Sequence, residues 1–241
     1  MGALLELDHI SKRFGQVIIA EDLSLTVDSG DAIGIVGPNG AGKTSLFGVI
    51  AGDLAPDAGE VRFDGKPVTT MDPALRCRLG IGRTYQVPRP FEDMTVFENV
   101  LVAATAGGGG HGAAAYDRCF DALEACHLLD LANRPAESLG LLHRKRLELA
   151  RALATDPVVV FLDEIGAGLT DDEAAELVTT IRQAHTGGVA IVWIEHIVHV
   201  LVQVVQRLVC MDAGRVIADG DPETVMSDAA VIDAYLGSAV R

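Results

Sequence analysis

The most specific chemistry in the 241-residue chain lies in Gly37-Pro38-Asn39-Gly40-Ala41-Gly42-Lys43-Thr44. These residues fit G-x-x-x-x-G-K-[ST], the pattern of a phosphate-binding P-loop. Glycines let a backbone wrap tightly and aim successive N–H groups at phosphate oxygens. The lysine ammonium reaches β- and γ-phosphates, and the threonine hydroxyl is a hard oxygen donor for Mg²⁺. Ser45 follows directly and is counted with the nucleotide-binding set. An acidic pair, Asp163-Glu164, ends the apolar run Val158-Val159-Val160-Phe161-Leu162. Asp163 is a candidate for the Mg²⁺ shell, and Glu164 is placed to orient and deprotonate an attacking water.

Both motifs need strands to deliver them. Ala32-Ile33-Gly34-Ile35-Val36 reads as a buried strand before the loop. After it Leu46, Phe47, Val49 and Ile50 recur at helical spacing, and Gly52 is a C-terminal stop. The helix N-terminus adds partial positive charge where phosphate would sit. Val158 to Leu162 reads as a buried parallel strand, whose C-terminal edge is where open α/β sheets bind ligands. Val189 to Ile194 is another such strand, with Glu195-His196 at its end.

Around these pieces, Leu4 to Ile10 and Leu23 to Val27 read as strands. Val61-Arg62-Phe63 and Lys66-Pro67-Val68 flank an Asp64-Gly65 hairpin turn. The stretch from Pro73 to Ala154 is dominated by helical patterns, at Val96–Val102, Tyr116–Leu131 and Arg144–Leu153. The glycine run 107–110 within it reads as a flexible loop tip. Thr170-Asp171-Asp172-Glu173 is a capping box opening a helix to about His185. Ile197 to Arg207 reads as an amphipathic helix, and Leu208 to Ala218 as a hairpin turning at Asp212-Ala213-Gly214. A short acidic helical tail follows. The fold class expected is α/β: a P-loop NTPase core of mainly parallel sheet, an N-terminal antiparallel β subdomain and an inserted helical subdomain. One domain spans 1–241, with 1–72 and 155–241 forming the core and 73–154 the helical part.

Composition narrows the function classes. Lys and Arg total 19 against 34 Asp and Glu, a formal net charge of −15. That balance speaks against a broad nucleic-acid surface, which needs basic patches. Cys77, Cys119, Cys126 and Cys210 show no metal-site or C-x-x-C spacing and read as reduced thiols. The start of the chain carries no signal-peptide pattern, and the most apolar stretch, Val189 to Val205, is interrupted by Glu195, His196, His199 and Gln203.

In both the order of its elements and its motifs, the chain resembles the ATP-binding cassette (ABC) ATPases over nearly its whole length. GPNGAGKT matches the Walker A loop and VVVFLDE the Walker B strand. Arg83-Thr84-Tyr85-Gln86 resembles the Q-loop, so Gln86 is expected to contact Mg²⁺ or the attacking water. His196 matches the switch histidine, which touches the γ-phosphate, and Phe14 the aromatic that stacks on adenine. The stretches Gly80–Gln86, Met94–Val100 and Arg146–Leu153, with the ending Tyr235-Leu236-Gly237, resemble ATP-binding subunits of branched-chain amino acid importers and their relatives for amides and urea.

One departure stands out. The family's signature, L-S-G-G-Q, falls at Leu139-Gly140-Leu141-Leu142-His143. In the family this segment closes over the ATP held by the opposite subunit. Gly140 lacks the serine hydroxyl that would reach the γ-phosphate, and Leu142 puts an isobutyl group where backbone must approach. Losing a charge-assisted hydrogen bond costs ~1.5–3 kcal/mol. Ile165 stands where proline usually follows the Walker B acids, and Thr170 where Asp or Asn usually ends the D-loop; as an N-cap Thr170 still suits folding.

The resemblance implies ATP and Mg²⁺ as cofactors and a peripheral location on the cytoplasmic face of the cell membrane. The implied partners are two transmembrane permease subunits and a second ATP-binding subunit, either a paralogue or another copy. An extracytoplasmic solute-binding protein acts indirectly, and nucleic acid is not expected. An intact Walker set beside an altered signature suggests an asymmetric heterodimer. Two functional readings stay open. One is an ATPase that energises an importer, favoured by Glu164; the other is a nucleotide-binding regulatory subunit with little turnover, favoured by the altered signature.

Overall fold

The computed structural model describes residues 2–238. In chain order the strands and helices are β1 (Leu5–Phe14), β2 (Val17–Val27), β3 (Ala32–Val36), α1 (Lys43–Ala51), β4 (Ala58–Phe63), β5 (Lys66–Pro67), α2 (Pro73–Arg78), β6 (Ile81–Arg83), α3 (Val96–Ala106), α4 (Ala113–Ala125), α5 (Leu141–Ala154), β7 (Val159–Asp163), α6 (Asp171–Thr186), β8 (Ala190–Ile194), α7 (Val198–Leu201), β9 (Arg207–Asp212), β10 (Arg215–Gly220), α8 (Pro222–Met226) and α9 (Ala229–Ser238). Packing divides the chain into two units: one runs to Pro73 and resumes at Ala190, the other is Ala74–Val189. The second unit holds the helices of the 73–154 stretch together with β7 and α6. Residues 1 and 239–241, at the ends of the domain span expected from sequence, lie outside the described residues.

In the first unit an antiparallel sheet runs in the order β2-β1-β4-β5. Asp64 and Gly65 both have positive φ, 50° and 70°, the turn that matches strand twist in a two-residue hairpin. The other sheet element of this unit is built on β3, which pairs in parallel with β8 on one side and β9 on the other; β10 is antiparallel to β9. All five residues of β3 and of β8 are buried, which is why both read as continuous apolar runs. Helix α1 leaves β3 through the glycine-rich loop and stops at Gly52, whose φ is 90°.

The second unit contains the parallel pair β6–β7 and helices α3 to α6. Thr95 and Glu98 form a capping box on α3, and Thr170 and Glu173 another on α6, as the latter motif predicts. Helix α4 ends at Ala125, six residues short of the Leu131 expected from periodicity. His127 takes φ 54°, and the N–H of Leu128 reaches back 2.8 Å to the Leu123 carbonyl. This is a Schellman stop made without glycine, and it buries Leu128 completely.

Two further expectations fail locally. The glycine run 107–110 is packed rather than a free tip: Arg118 Nη1 donates to the Gly108 carbonyl at 2.6 Å. A Cβ at Gly107 would lie 2.6 Å from the Thr155 methyl. The helix expected over 197–207 is only the four residues of α7. Val198, Val200, Val202, Val204 and Val205 are β-branched and hold helix poorly. The chain must also extend by Gln206, whose N–H bonds the Ala32 carbonyl at 3.0 Å to start β9 beside β3.

Candidate nucleotide site

In the first unit the candidate residues stand at the C-terminal ends of neighbouring parallel strands. Ile35 of β3 pairs with Ile194 of β8, so the loop beginning at Gly37 and the pair Glu195-His196 leave the sheet at the same edge. The loop is held by backbone. Gly37 has φ 143°, and a Cβ there would fall 2.0 Å from the Met211 carbonyl oxygen; at Gly42, with φ 100°, it would fall 2.1 Å from that of Ile19. No other residue fits either position. Lys43 is 6% exposed and donates to the carbonyls of Gly37 at 2.7 Å and Pro38 at 3.1 Å. Its ammonium therefore sits on the loop. Asn39 and Gly40 at the tip and Thr44 at the helix start are exposed, while Pro38 and Ala41 are buried and Ser45 is intermediate.

His196 is exposed, and its N–H donates to the carboxylate of buried Glu195 at 3.3 Å. Phe14, the last residue of β1, is 51% exposed, with the Lys12 ammonium 5.3 Å from its ring centre. A half-exposed ring is free to stack on a base.

In the second unit Arg83 of β6 pairs with Phe161 of β7, so Thr84 to Gln86 and Asp163-Glu164 also share one strand edge. Asp163 is 1% exposed; its N–H donates to the Thr84 hydroxyl at 3.2 Å, and the Arg83 guanidinium lies 3.4 Å from its carboxylate. Gln86 donates through Nε2 to the Glu164 carboxylate at 2.5 Å. These two candidates, 78 positions apart, are thus brought into contact. Asp163 and the Gln86 amide supply oxygen, as does the Thr44 hydroxyl in the first unit, and oxygen is the donor type Mg²⁺ selects.

Sequence reasoning missed the residues that brace this edge. On α5, Lys145, Arg146 and Glu148 are buried. Lys145 Nζ donates to the Gln86 carbonyl at 2.8 Å and the Glu164 carbonyl at 3.2 Å. Glu148 accepts the Arg89 N–H at 2.5 Å, and Arg151 donates to the Arg89 carbonyl at 2.7 Å. In sequence these charges look like a solvated helix face. Only their run within one amphipathic period could have raised suspicion, since the loop they grip is some 60 positions away.

The altered signature lies at the start of α5. Leu139 is buried, Gly140 is the N-cap in extended conformation without a side-chain cap bond, and Leu141 is 46% exposed. Leu142 and His143 are intermediate. Arg144 clamps the segment before them, donating to the carbonyls of Leu139 at 2.9 Å and Glu137 at 2.7 Å. A Cβ at Gly140 would meet nothing within 4 Å.

Comparison with known proteins places the chain in a family. Residues 20–167 match the family model of the ABC transporter. The chain belongs to the ABC transporter family. It is an ATPase of the ATP-binding cassette type. Within the family, residues 215–241 match the model described as branched-chain amino acid ATP-binding cassette transporter. The chain is 33% identical to the high-affinity branched-chain amino acid transport ATP-binding protein BraF of Pseudomonas aeruginosa, over 98% of both chains. It is also 30% identical to the lipopolysaccharide export system ATP-binding protein LptB of Escherichia coli, over 99% of both. An ATP-binding cassette of an ABC transporter, solved in its ADP conformation, superimposes with a TM-score of 0.89 at 31% identity, covering 98% of this chain and 100% of that one. Among the described residues of this ABC chain, no helix is long and apolar enough to cross a membrane.

Proposed function

We propose that this chain energises an importer of branched-chain or other hydrophobic amino acids, or of amides or urea, by hydrolysing ATP in an asymmetric pair with a second cassette. The observation that carries the reading is the Gln86–Glu164 hydrogen bond. It ties the carboxylate suited to activate water to a loop whose next residues face solvent. Lys43, the loop amides and Ser45 hold the phosphates, and Phe14 stacks on adenine. Thr44 and Asp163 would hold Mg²⁺, Gln86 would contact the ion or the attacking water, and His196 would reach the γ-phosphate. Bound Mg²⁺ would neutralise charge on the phosphates. The chain's own contribution is to seat the phosphates, orient the water and take its proton at Glu164. As a domain, 1–72 with 155–241 is read as the core and 73–154 as the helical part.

The cargo rests on the C-terminal match, because the overall identity to LptB is nearly as high as that to BraF. The altered signature favours the second reading, a regulatory subunit that clamps ATP with little turnover. Turnover measured with and without the membrane subunits separates the two.

Lys43→Ala should lower ATP affinity by about 10- to 100-fold, since hydrogen bonds to charged groups contribute about 1.5–3 kcal/mol each. The melting temperature should fall by a few degrees, since the Gly37 and Pro38 carbonyls lose the Lys43 donor. Fluorescence titration with a labelled ATP checks this, and equal affinities would remove Lys43 from the site.

The stretch Val87 to Phe97 is the proposed contact for a membrane subunit. Val87 is 69% exposed, Phe91 45% and Met94 37%, so apolar side chains stand exposed along a braced loop. Asn99 fixes that loop, accepting the Phe91 N–H at 2.8 Å and donating to the Phe91 carbonyl at 3.0 Å. The rings of Tyr116 and Phe120 on α4 lie 5.9 and 5.6 Å from Phe97 and extend the apolar surface. Single cysteines placed at 87, 91 or 94 should crosslink to a cytoplasmic loop of the transporter. Crosslinks found only from the α9 end would redirect the assignment.

A further inference from the structure

The C-terminal helix α9 reaches back to the phosphate loop. The N–H of Gly37 donates to the Tyr235 hydroxyl at 2.9 Å, across 198 positions of sequence. On its other side the Gly37 carbonyl accepts the Lys43 ammonium at 2.7 Å. Gly37 is therefore gripped at both of its peptide planes, and its backbone has no freedom to spare, because Met211 already fills the space beside its Cα. One turn before Tyr235, Val231 is 1% exposed and anchors the helix. Ile232 and Leu236, each one position further along α9, are exposed. Burial raises the pKa of the Tyr235 hydroxyl above its ordinary value, so the group stays neutral near pH 7. None of the motifs that bind nucleotide includes this tyrosine.

We propose that Tyr235 is a positioning residue for ATP binding: its hydroxyl fixes the Gly37 peptide, and through it the seat of the Lys43 ammonium, so that α9 sets the nucleotide affinity of the phosphate loop. The proposal rests on the reading of residues 37–44 as that loop. Phosphate binding requires the loop amides and the lysine to be preorganised, and rotation of the 36–37 peptide would spend binding energy on reordering them. Once ATP saturates the loop, the cost has been met, so the effect falls on KM and not on kcat. Tyr235→Phe keeps the ring and removes the hydroxyl that accepts the Gly37 N–H.

The experiment compares parent, Tyr235→Phe, Val231→Ala and Lys43→Ala full chains by labelled-ATP titration, ATP dependence of hydrolysis and thermal melting. Tyr235→Phe should raise both Kd and KM for ATP about fivefold, the loss of one neutral hydrogen bond. Its kcat should stay within about twofold of the parent. Val231→Ala loosens the helix that carries the hydroxyl, so it should lower the melting temperature and raise KM by no more than Tyr235→Phe does, and adding it to Tyr235→Phe should raise KM no further. Parental KM in Tyr235→Phe beside a disabled Lys43→Ala overturns this proposal alone. So does a further rise in KM when Val231→Ala is added to Tyr235→Phe, because helix packing and not the hydroxyl would then be acting. Parental binding in Lys43→Ala overturns the phosphate-loop reading and this proposal with it.

Discussion

Glu164→Gln should bind ATP as the parent does and hydrolyse it about 10²- to 10⁴-fold more slowly, the range that general-base catalysis supplies. The substitution is isosteric. The amide oxygen can still accept the Gln86 Nε2–H bond, and the Glu164 carbonyl still receives Lys145. What disappears is the capacity to take a proton from water. ATP-loaded dimer should therefore accumulate. Single-turnover hydrolysis checks this, and an unchanged rate would move the base to another group. Glu164 is 8% exposed, so the position is sheltered enough for the loss of one proton acceptor not to be replaced by bulk water.

The second large effect concerns the signature. Restoring Gly140→Ser together with Leu142→Gly should raise the ATPase of a homodimer by on the order of 10- to 1000-fold. The serine returns a donor to the transferring phosphate, where stabilisation acts on the transition state. It also fits the fold: Gly140 has φ −68° and ψ 170°, the extended geometry of an N-cap, and open space at its Cβ. A serine there gains a cap bond to α5, and this offsets part of the helix propensity lost at Leu142. Stability should change little while rate changes greatly. In a heterodimer whose partner has a sound signature the gain should be smaller, since one composite site already works. Flat homodimer turnover, with dimerisation verified, would contradict the asymmetric model.

What the sequence discloses and what it hides follow one physical division. The phosphate loop, the Asp64-Gly65 hairpin and the Thr170–Glu173 capping box are local devices, each dictated by residues within a few positions. The strand–turn–helix of the first, the hairpin and the capping box all take the backbone form their patterns predict. The strand edges bearing Asp163, Glu164 and His196 are legible because buried parallel strands are continuous apolar runs. The hidden features depend on partners far along the chain. Lys145 and Glu148 are polar by type and buried by context, because the loop at 86–91 brings them its own backbone groups to satisfy. Tyr235 looks like a tail aromatic until Gly37 is beside it. The α4 stop at His127 uses left-handed backbone without the glycine that would have advertised it.

Whether this chain turns over ATP to drive a transporter is tested most directly by its steady-state ATPase, measured alone and in membranes with the proposed permease subunits and second cassette. The purified chain should turn over slowly, the assembled complex should be markedly faster, and Glu164→Gln should remove most of that stimulated rate. A chain that binds ATP but shows the same negligible turnover alone and assembled, or an assembled rate untouched by Glu164→Gln, would contradict the energising role and leave the regulatory reading in its place.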